Sequence, residues 1–484
     1  MSKFTPTQEQ QAIVSKAKSG KNLSVNACAG SGKSSSIVLI ADAIPKKKGL
    51  YLAFNKAIAD EMNSNLPNNV EAKTTHSLAY GIFGVMLSHK LNYQDGSYIN
   101  RGRTAKEICN LYGIKDYGDI RDIEIAKWVK DSVDKFQHTA DETIQKHHIC
   151  NSYEKELDKR CGRRIEGTNP RHAHDYVLGY MKRLWADRIN PHSPIAITHD
   201  TYLKLYQLSN PLLNYDVIFG DEFQDTNACV LDIVMKQRCQ KVLVGDNHQM
   251  IYSFRGSLNA MKKSGYDTLP LSQSWRWGDA IADVANTILQ GRTNIVIKGN
   301  SNCDSRVDDI DQSKPSTKIY RTNAAMLSDA VMLMSQGLRV NISTDIGGFL
   351  TVLRNAEALY NGDFKKVKHQ DFVSYKNWSE FATEAKEDKG EKYRIYKMID
   401  NGSYKNIMDQ LNRYKKDSNA DITLITAHKS KGLEWDQVVI ADDFPIKGSV
   451  MDLPEMECNL LYVACTRAKK VLQLSGNLAD MLGY

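Results

Sequence analysis

Leu23-Ser24-Val25-Asn26-Ala27-Cys28-Ala29-Gly30-Ser31-Gly32-Lys33-Ser34 is the stretch that decides the fold. Leu23–Ala27 reads as a short apolar strand, and Ser35–Ala43 carries a helical pattern. Between them lies a Gly/Ser-rich turn that ends in Lys-Ser, the context in which a loop wraps phosphate. Gly30 and Gly32 let backbone N–H groups turn inward, with Ala29, Ser31 and Ser35 completing the loop. Lys33 is placed to reach the β- and γ-phosphates of ATP, and Ser34 to ligate Mg²⁺. The start of the following helix adds a favourable dipole. Ala27 stands where the general pattern has its first glycine. Taken alone, the segment therefore also reads as an ordinary Gly/Ser turn, and the strand–loop–helix context is what confirms it.

Similar apolar runs recur on either side of a long middle section. Leu50–Phe54, Val217–Gly220 and Val242–Gly245 join Leu23–Ala27 in a first set. Ile319–Arg321, Ile422–Thr426, Val438–Ala441 and Val471–Leu474 form a second. Helical patterns alternate with them, which predicts α/β architecture: two parallel sheets covered on both faces. The run that ends at Gly220 is followed by Asp221-Glu222-Phe223-Gln224-Asp225-Thr226. Carboxylates at the C-terminal end of a strand sit in the crevice of an open α/β sheet. There Asp221 would hold Mg²⁺ through water, and Glu222 would orient or deprotonate an attacking water. An Asp-Glu pair is by itself usually a solvated turn; the phosphate loop upstream reverses that weighting.

Bulk properties set the outer bounds. At roughly 100–200 residues per domain, 484 residues imply three or four domains. Hydrophobic content of 42% and charged content of 25% are ordinary for a globular protein. The net charge of +7 permits nucleic-acid binding without demonstrating it. The N-terminal residues carry no apolar signal region, and no apolar run is long enough to span a membrane, so a cytoplasmic or nuclear, non-secreted protein is expected. Nine cysteines, with no CxxC pair, read as reduced thiols. His147, His148, Cys150, Cys161, His172 and His174 cluster in sequence, yet their spacing matches no common zinc finger; ordinary surface and core roles stand beside a zinc site.

Residues 87–195 look mainly helical. Ile125, Trp128, Val129, Val133 and Phe136 fall on one helical face, as do Tyr180, Met181, Leu184 and Trp185, and such stripes usually face a core. The basic group Lys159, Arg160, Arg163, Arg164 and Arg171 in this stretch reads as a solvated face or a duplex contact. A second polar, Lys-rich stretch covers 356–418.

Asp221–Thr226 closely resembles the second motif of UvrD/Rep-like superfamily 1 helicases, and seven further segments fit that family in order. Phe4–Ile13 resembles the Q motif, where Gln10 would read the adenine edge. Ala53–Ala57 and Thr74–Ala79 resemble motifs Ia and Ib, which places Phe54, Asn55, Thr75 and His76 on a DNA track. Val244–Gly256 resembles motif III; Gln249 then senses the γ-phosphate, while Tyr252, Phe254 and Arg255 face the strand. Leu271–Arg276 resembles motif IV, with Trp275 stacked on adenine and Arg276 as an arginine finger. Thr426–Trp435 resembles motif V, with Gly432 and Glu434 at the nucleotide and Thr426 and His428 towards DNA; Trp435 is a further stacking candidate. Glu457–Ala468 resembles motif VI, with Arg467 as the second finger. Ile197–Leu205 and the Gln-Ser-Trp-Arg-Trp form of motif IV are similar to the F-box DNA helicase group, although no F-box precedes the Q motif here.

The resemblance implies two RecA-like P-loop domains. It divides the chain into a first RecA-like domain (1–86 and 196–272) with a helical 1B insert at 87–195. The second RecA-like domain (273–355 and 419–484) carries a reduced 2B insert at 356–418. Roughly 60 residues are few for the family's usual 2B fold, given that a domain needs about 50 or more with a core of its own. ATP and Mg²⁺ would lie between the RecA-like domains, with Lys33, Asp221, Glu222, Gln249, Arg276 and Arg467 as the catalytic set. Single-stranded DNA, or DNA with single-stranded tails, would be the partner of a monomeric 3′→5′ motor, with replication or recombination proteins as further partners. Two rivals share these residues: a translocase that strips proteins from single strands, and an ATP-gated DNA-binding module.

Overall fold

Strands form where apolar runs can be buried on both faces, and they do so twice. The structure, a computed structural model, describes residues 5–91, 102–118, 120–150, 170–252, 259–369, 371–373, 375–388, 390–417, 419–445 and 448–484. Its architecture is mixed α/β with two six-stranded sheets, as the sequence predicts.

The first sheet has β1 (Leu23–Ala27), β2 (Gly49–Ala53), β3 (Val70–Thr74), β4 (Val217–Gly220), β5 (Gln240–Gly245) and β6 (Thr268–Leu271), in the order β3-β2-β4-β5-β1-β6. β2 runs parallel to β3 and β4, and β4 parallel to β5. Every residue of β1, β2, β4 and β5 is buried, the signature of a parallel sheet with helices on both faces. The second sheet has β7 (Arg306–Val307), β8 (Ser316–Tyr320), β9 (Val340–Ile342), β10 (Ile422–Thr426), β11 (Trp435–Ile440) and β12 (Ala468–Gln473). Its order is β7-β12-β11-β8-β10-β9, with all neighbours parallel.

The sequence expectation did not include β3, β6, β7 and β9. β3 buries only Val70 and Ala72 and alternates them with Glu71 and Lys73, as a sheet-edge strand does. β6 is also an edge strand and contains Pro270, tolerable only where no neighbour needs its N–H. β8, β11 and β12 each begin three residues before the apolar run that predicts them, because Ser316, Trp435 and Ala468 already pair in the ladder and polar residues follow them.

The chain divides into two compact units. One comprises residues 1–25, 34–245 and 252–269; the other comprises 26–33, 246–251 and 270–484. Within the first, the helices Ala105–Tyr112, Asp122–Gln137 and Pro170–Ile189 close a separate apolar core. Ile125, Trp128, Val129, Val133, Phe136, Met181 and Leu184 are buried in it, and Tyr180 and Trp185 pack at its rim. Two buried lysines tie that core to its surroundings. Lys90 Nζ donates to the carbonyls of Asp187, Arg188 and Asn190, capping the C-terminal end of Pro170–Ile189. Lys204 Nζ donates to Thr139 and Asp141 carbonyls and to Gln207 Oε1. Burial pushes both ammonium groups down to about 8.

In the second unit, the helices Trp378–Asp388, Glu391–Asp400 and Tyr404–Arg413 have no core of their own. Phe372, Phe381, Ile395, Ile407 and Leu411 share one cluster with Leu424 of β10 and Val340 of β9. So short a stretch closes its apolar surface by packing on the sheet layer. Among the described residues no helix is long and apolar enough to cross a membrane.

Candidate nucleotide site and strand track

The loop after β1 adopts the conformation its glycines allow. Gly30 and Gly32 have φ of +72° and +79°, and the helix Lys33–Ala43 starts at once. A Cβ on Gly30 would meet Ser274 Oγ at 2.6 Å and Arg276 Cβ at 2.8 Å, so only glycine lets these segments approach. The Trp275 N–H donates to the Gly30 carbonyl (2.8 Å), and the Cys28 N–H to that of Leu271 (3.0 Å). The Ala29 N–H donates to Tyr462 Oη (3.0 Å), whose own O–H donates to Asp246 Oδ2 (3.1 Å). Gln249 is buried and its Nε2 donates to the same Asp246 oxygen at 2.9 Å, while Lys431 Nζ donates to the Gln249 carbonyl at 2.6 Å. Phosphate loop, motif III segment and motifs IV, V and VI thus meet within one compact unit.

The two predicted fingers are held differently. Arg276 Nε pairs with Glu434 (2.7 Å), and its Nη1 donates to the Thr466 carbonyl (3.1 Å). Arg467 is only 2% exposed; its Nε donates to the Val463 carbonyl and Nη1 to that of Leu433. Trp275 is 44% exposed, and Gly432 takes a φ of +84°. Ser31 Oγ is buried without a hydrogen-bond partner among the described residues, a polar atom left over inside a loop of phosphate-binding shape. The cradle therefore fits a polyphosphate.

The carboxylates lie in the other unit. Asp221 follows β4 and accepts a short hydrogen bond from Tyr51 Oη, which also bonds Ser34. Burial, with Asp221 next to it, pushes the Tyr51 phenol far above its ordinary value, so it stays a donor. The two residues predicted to hold Mg²⁺ thus share one tyrosine, and an oxygen-only donor set suits a hard cation. Ser34 adjoins Lys33 in the chain, and Ser35 beside it is exposed. Glu222 sits at φ +48°, ψ +38°, and among the described residues only Asn210 shares a positive φ without being glycine. Such a conformation costs about 1–3 kcal/mol and persists only where surroundings enforce it. Its carboxylate accepts from Gln224 Nε2 at 2.5 Å. Gln224 in turn lies so close to Gly245 that a Cβ there would stand 2.2 Å from its Oε1. Gln10 is buried with both ends of its amide engaged: Oε1 accepts the Thr7 N–H in a capping box, and Nε2 donates to Ser36 (3.2 Å).

Of the strand-track candidates, Phe54 is 51% exposed and stacks on Tyr252, with centroids 6.3 Å apart and planes 13° off parallel. Asn55 caps the helix Lys56–Asn65 through the Ile58 N–H. Thr75 is buried, whereas His76 is partly exposed and its Nε2 lies 3.3 Å from Asp200. In the second unit Thr426 is buried, His428 half-buried, and Trp435 opens β11 half-buried. Phe254 and Arg255 lie outside the described residues, as does the basic group from Lys159 to Arg164.

Comparison with known proteins decides the family. Residues 6–265 match the model of the UvrD/REP helicase N-terminal domain, and residues 421–475 that of the UvrD-like helicase C-terminal domain. The chain belongs to the UvrD/REP helicase family. Its two sheets are those of two RecA-like domains. F-box DNA helicase protein 1 of Schizosaccharomyces pombe is 30% identical, over 98% of this chain and 58% of that protein. F-box DNA helicase 1 of Gallus gallus is 32% identical, over all of this chain and 50% of that protein. A probable DNA helicase II homolog of Mycoplasma pneumoniae is 37% identical over 16% of this chain and 12% of that protein. The chain thus spans about half the length of the F-box relatives it matches.

Sequence reasoning missed Tyr51, Asp246 and Tyr462 as parts of this UvrD/REP site. The available signal was a tyrosine inside an apolar strand or helix, since a buried hydroxyl must find a partner. Of the His/Cys cluster, His147 and His148 come together with Asp141 in a group whose ligand atoms lie close enough to share a metal ion, and Cys150 is not part of it. His147 and His148 both turn to Asp141 Oδ2, at 2.6 and 2.9 Å. His148 Nδ1 accepts the Gln145 N–H (2.9 Å), which puts the ring proton on Nε2 for donation to Asp141. Cys150 lies near Ser132 instead, and Cys161 falls outside the described residues.

Proposed function

We propose that this chain hydrolyses ATP to move 3′→5′ along single-stranded DNA and to unwind duplexes that carry single-stranded tails. The observation that carries the reading is the joining of the phosphate loop, the Asp246–Gln249 segment, Arg276 and Tyr462 in one hydrogen-bonded group.

In this reading Ala29–Ser35 cradle the phosphates, and Lys33 neutralises the β- and γ-oxygens. Trp275 stacks on the adenine and Gln10 reads its edge; Gly432 and Glu434 line the nucleotide. Ser34 and Asp221 would hold Mg²⁺, which when bound offsets phosphate charge. Glu222 takes the proton of the attacking water. Gln249 and the fingers Arg276 and Arg467 stabilise charge on the transferring phosphoryl group, a contribution of about 10³–10⁵ in rate for comparable arginines. Glu434 Oε2 pairs with Arg276 Nε at 2.7 Å and so orients that finger.

Tyr252 follows Gln249 closely in sequence and stacks on Phe54. In this reading Phe54 and Tyr252 together form an aromatic platform for a base. Stacking suits a motor, because it contributes about 1–3 kcal/mol per base whatever the sequence. Asn55, Thr75, His76, Phe254, Arg255, Thr426 and His428 complete the proposed track. The chain would divide into RecA-like domains at 1–86 with 196–272, and at 273–355 with 419–484, the stretches 87–195 and 356–418 being inserts.

Strand separation tests the reading. With ATP and Mg²⁺, a duplex with a 3′ single-stranded tail should be unwound and one with a 5′ tail left intact. Unwinding from the 5′ tail alone overturns the polarity. Displacement of a bound protein from single strands, with neither duplex opened, favours the protein-stripping alternative.

A further inference from the structure

One side chain outside the proposed catalytic set joins three of its segments. Tyr462 is fully buried in the helix Glu455–Cys465, a few residues before Arg467. Its hydroxyl accepts the Ala29 N–H of the phosphate loop (3.0 Å) and donates to Asp246 Oδ2 (3.1 Å). That same oxygen accepts Gln249 Nε2–H at 2.9 Å, and Asp246 Oδ1 caps the His248 N–H at 2.9 Å. One N–H of the Gln249 amide is thus committed to Asp246, which fixes the direction of its second N–H and of its oxygen. Burial, followed by the nearby Asp246 charge, pushes the Tyr462 phenol well above its ordinary value, so its proton stays in place. The ring itself makes an edge contact with His248 (centroids 6.4 Å apart), which a phenylalanine would keep.

We propose that Tyr462 is a positioning residue for ATP turnover: its hydroxyl orients Asp246, and through it the Gln249 carboxamide, while pinning the phosphate loop to the helix that leads into Arg467. This rests on the reading of Gln249 as the γ-phosphate sensor. Removing the hydroxyl leaves the Asp246 carboxylate short of a donor in a buried site, where it competes for Gln249 Nε2 in a new geometry. The nucleotide still binds, but the transition state loses an aligned donor, so kcat falls and KM for ATP stays near its original value.

The test is a double-mutant cycle on the full chain, with ATP turnover measured in saturating single-stranded DNA. Tyr462→Phe should lower kcat about tenfold and change KM for ATP less than about twofold. Gln249→Ala should lower kcat at least as much, and adding Tyr462→Phe to it should cost little more, because both act through one amide. Multiplicative losses, or an unchanged kcat in Tyr462→Phe, overturn the proposal. If Tyr462→Phe does not fold, Asp246→Asn enters the same cycle, and non-additivity with Gln249→Ala is again required. Wild-type chain without DNA-stimulated turnover refutes the site reading itself, which separates the two failures.

Discussion

The phosphate-loop group and the helical core between Ala105 and Ile189 solve the problem of buried polarity in opposite ways. Around the loop, buried polar groups connect to one another and leave an opening: Ser31 Oγ has no partner among the described residues, and Trp275 is 44% exposed. At the edge of the helical core, buried charges are closed off. Lys90 spends its donors on three carbonyls at a helix end, and Lys204 is consumed by two carbonyls and an amide. Unfinished polarity marks where a ligand belongs; finished polarity marks structure.

That contrast breaks if changes in the two regions have the same consequences. The largest effect is expected at Glu222. Glu222→Gln keeps size and shape but removes the base, and should cut DNA-stimulated hydrolysis by about 10²–10⁴. Its melting temperature should stay near that of the wild type; a large fall in melting temperature with retained turnover would erase the distinction. Lys90→Met is the mirror case. It strips the cap from the helix Pro170–Ile189 and should cost about 2–3 kcal/mol of stability, read by denaturant unfolding. Turnover per folded molecule should hold steady, and a selective loss of turnover would make Lys90 a functional residue.

The smallest effect is a pH dependence. Glu391, in the second insert, is half-buried and accepts the Ala324 N–H, and burial lifts its carboxyl to about 7 from 4.5. The folded state therefore holds this proton more tightly than the unfolded chain. The associated stability, on the order of 2–3 kcal/mol, is fully present below pH 4.5 and is lost as pH rises through 7. Glu391→Gln retains an acceptor for the Ala324 N–H and should flatten that slope; an unchanged slope would assign it to other groups.

How much of this was legible follows from the same contrast. The loop from Ala29 to Ser34 and the Asp221-Glu222 pair are local in sequence, so their residues could be read directly, whereas the segment around Gln249 came from the resemblance to a helicase motif. β1, β4 and β10 were bounded to the residue, and of these β4 is one continuous buried apolar run. The edge strands β3 and β6 were not, since an edge needs neither full burial nor a donor at every position. Tyr51 and Tyr462 also stayed hidden. A tyrosine in an apolar element looks like core until its partner arrives from elsewhere in the chain, here Asp221 and Asp246. The sequence likewise left open whether His147 and His148 would meet the cysteines. A single carboxylate, Asp141, takes both rings.

ATP turnover by the purified chain, with and without single-stranded DNA, tests the central claim most directly. The account predicts slow hydrolysis alone and a rise of at least tenfold with the strand, lost in Lys33→Ala. Hydrolysis indifferent to DNA, or persisting in Lys33→Ala, would contradict it.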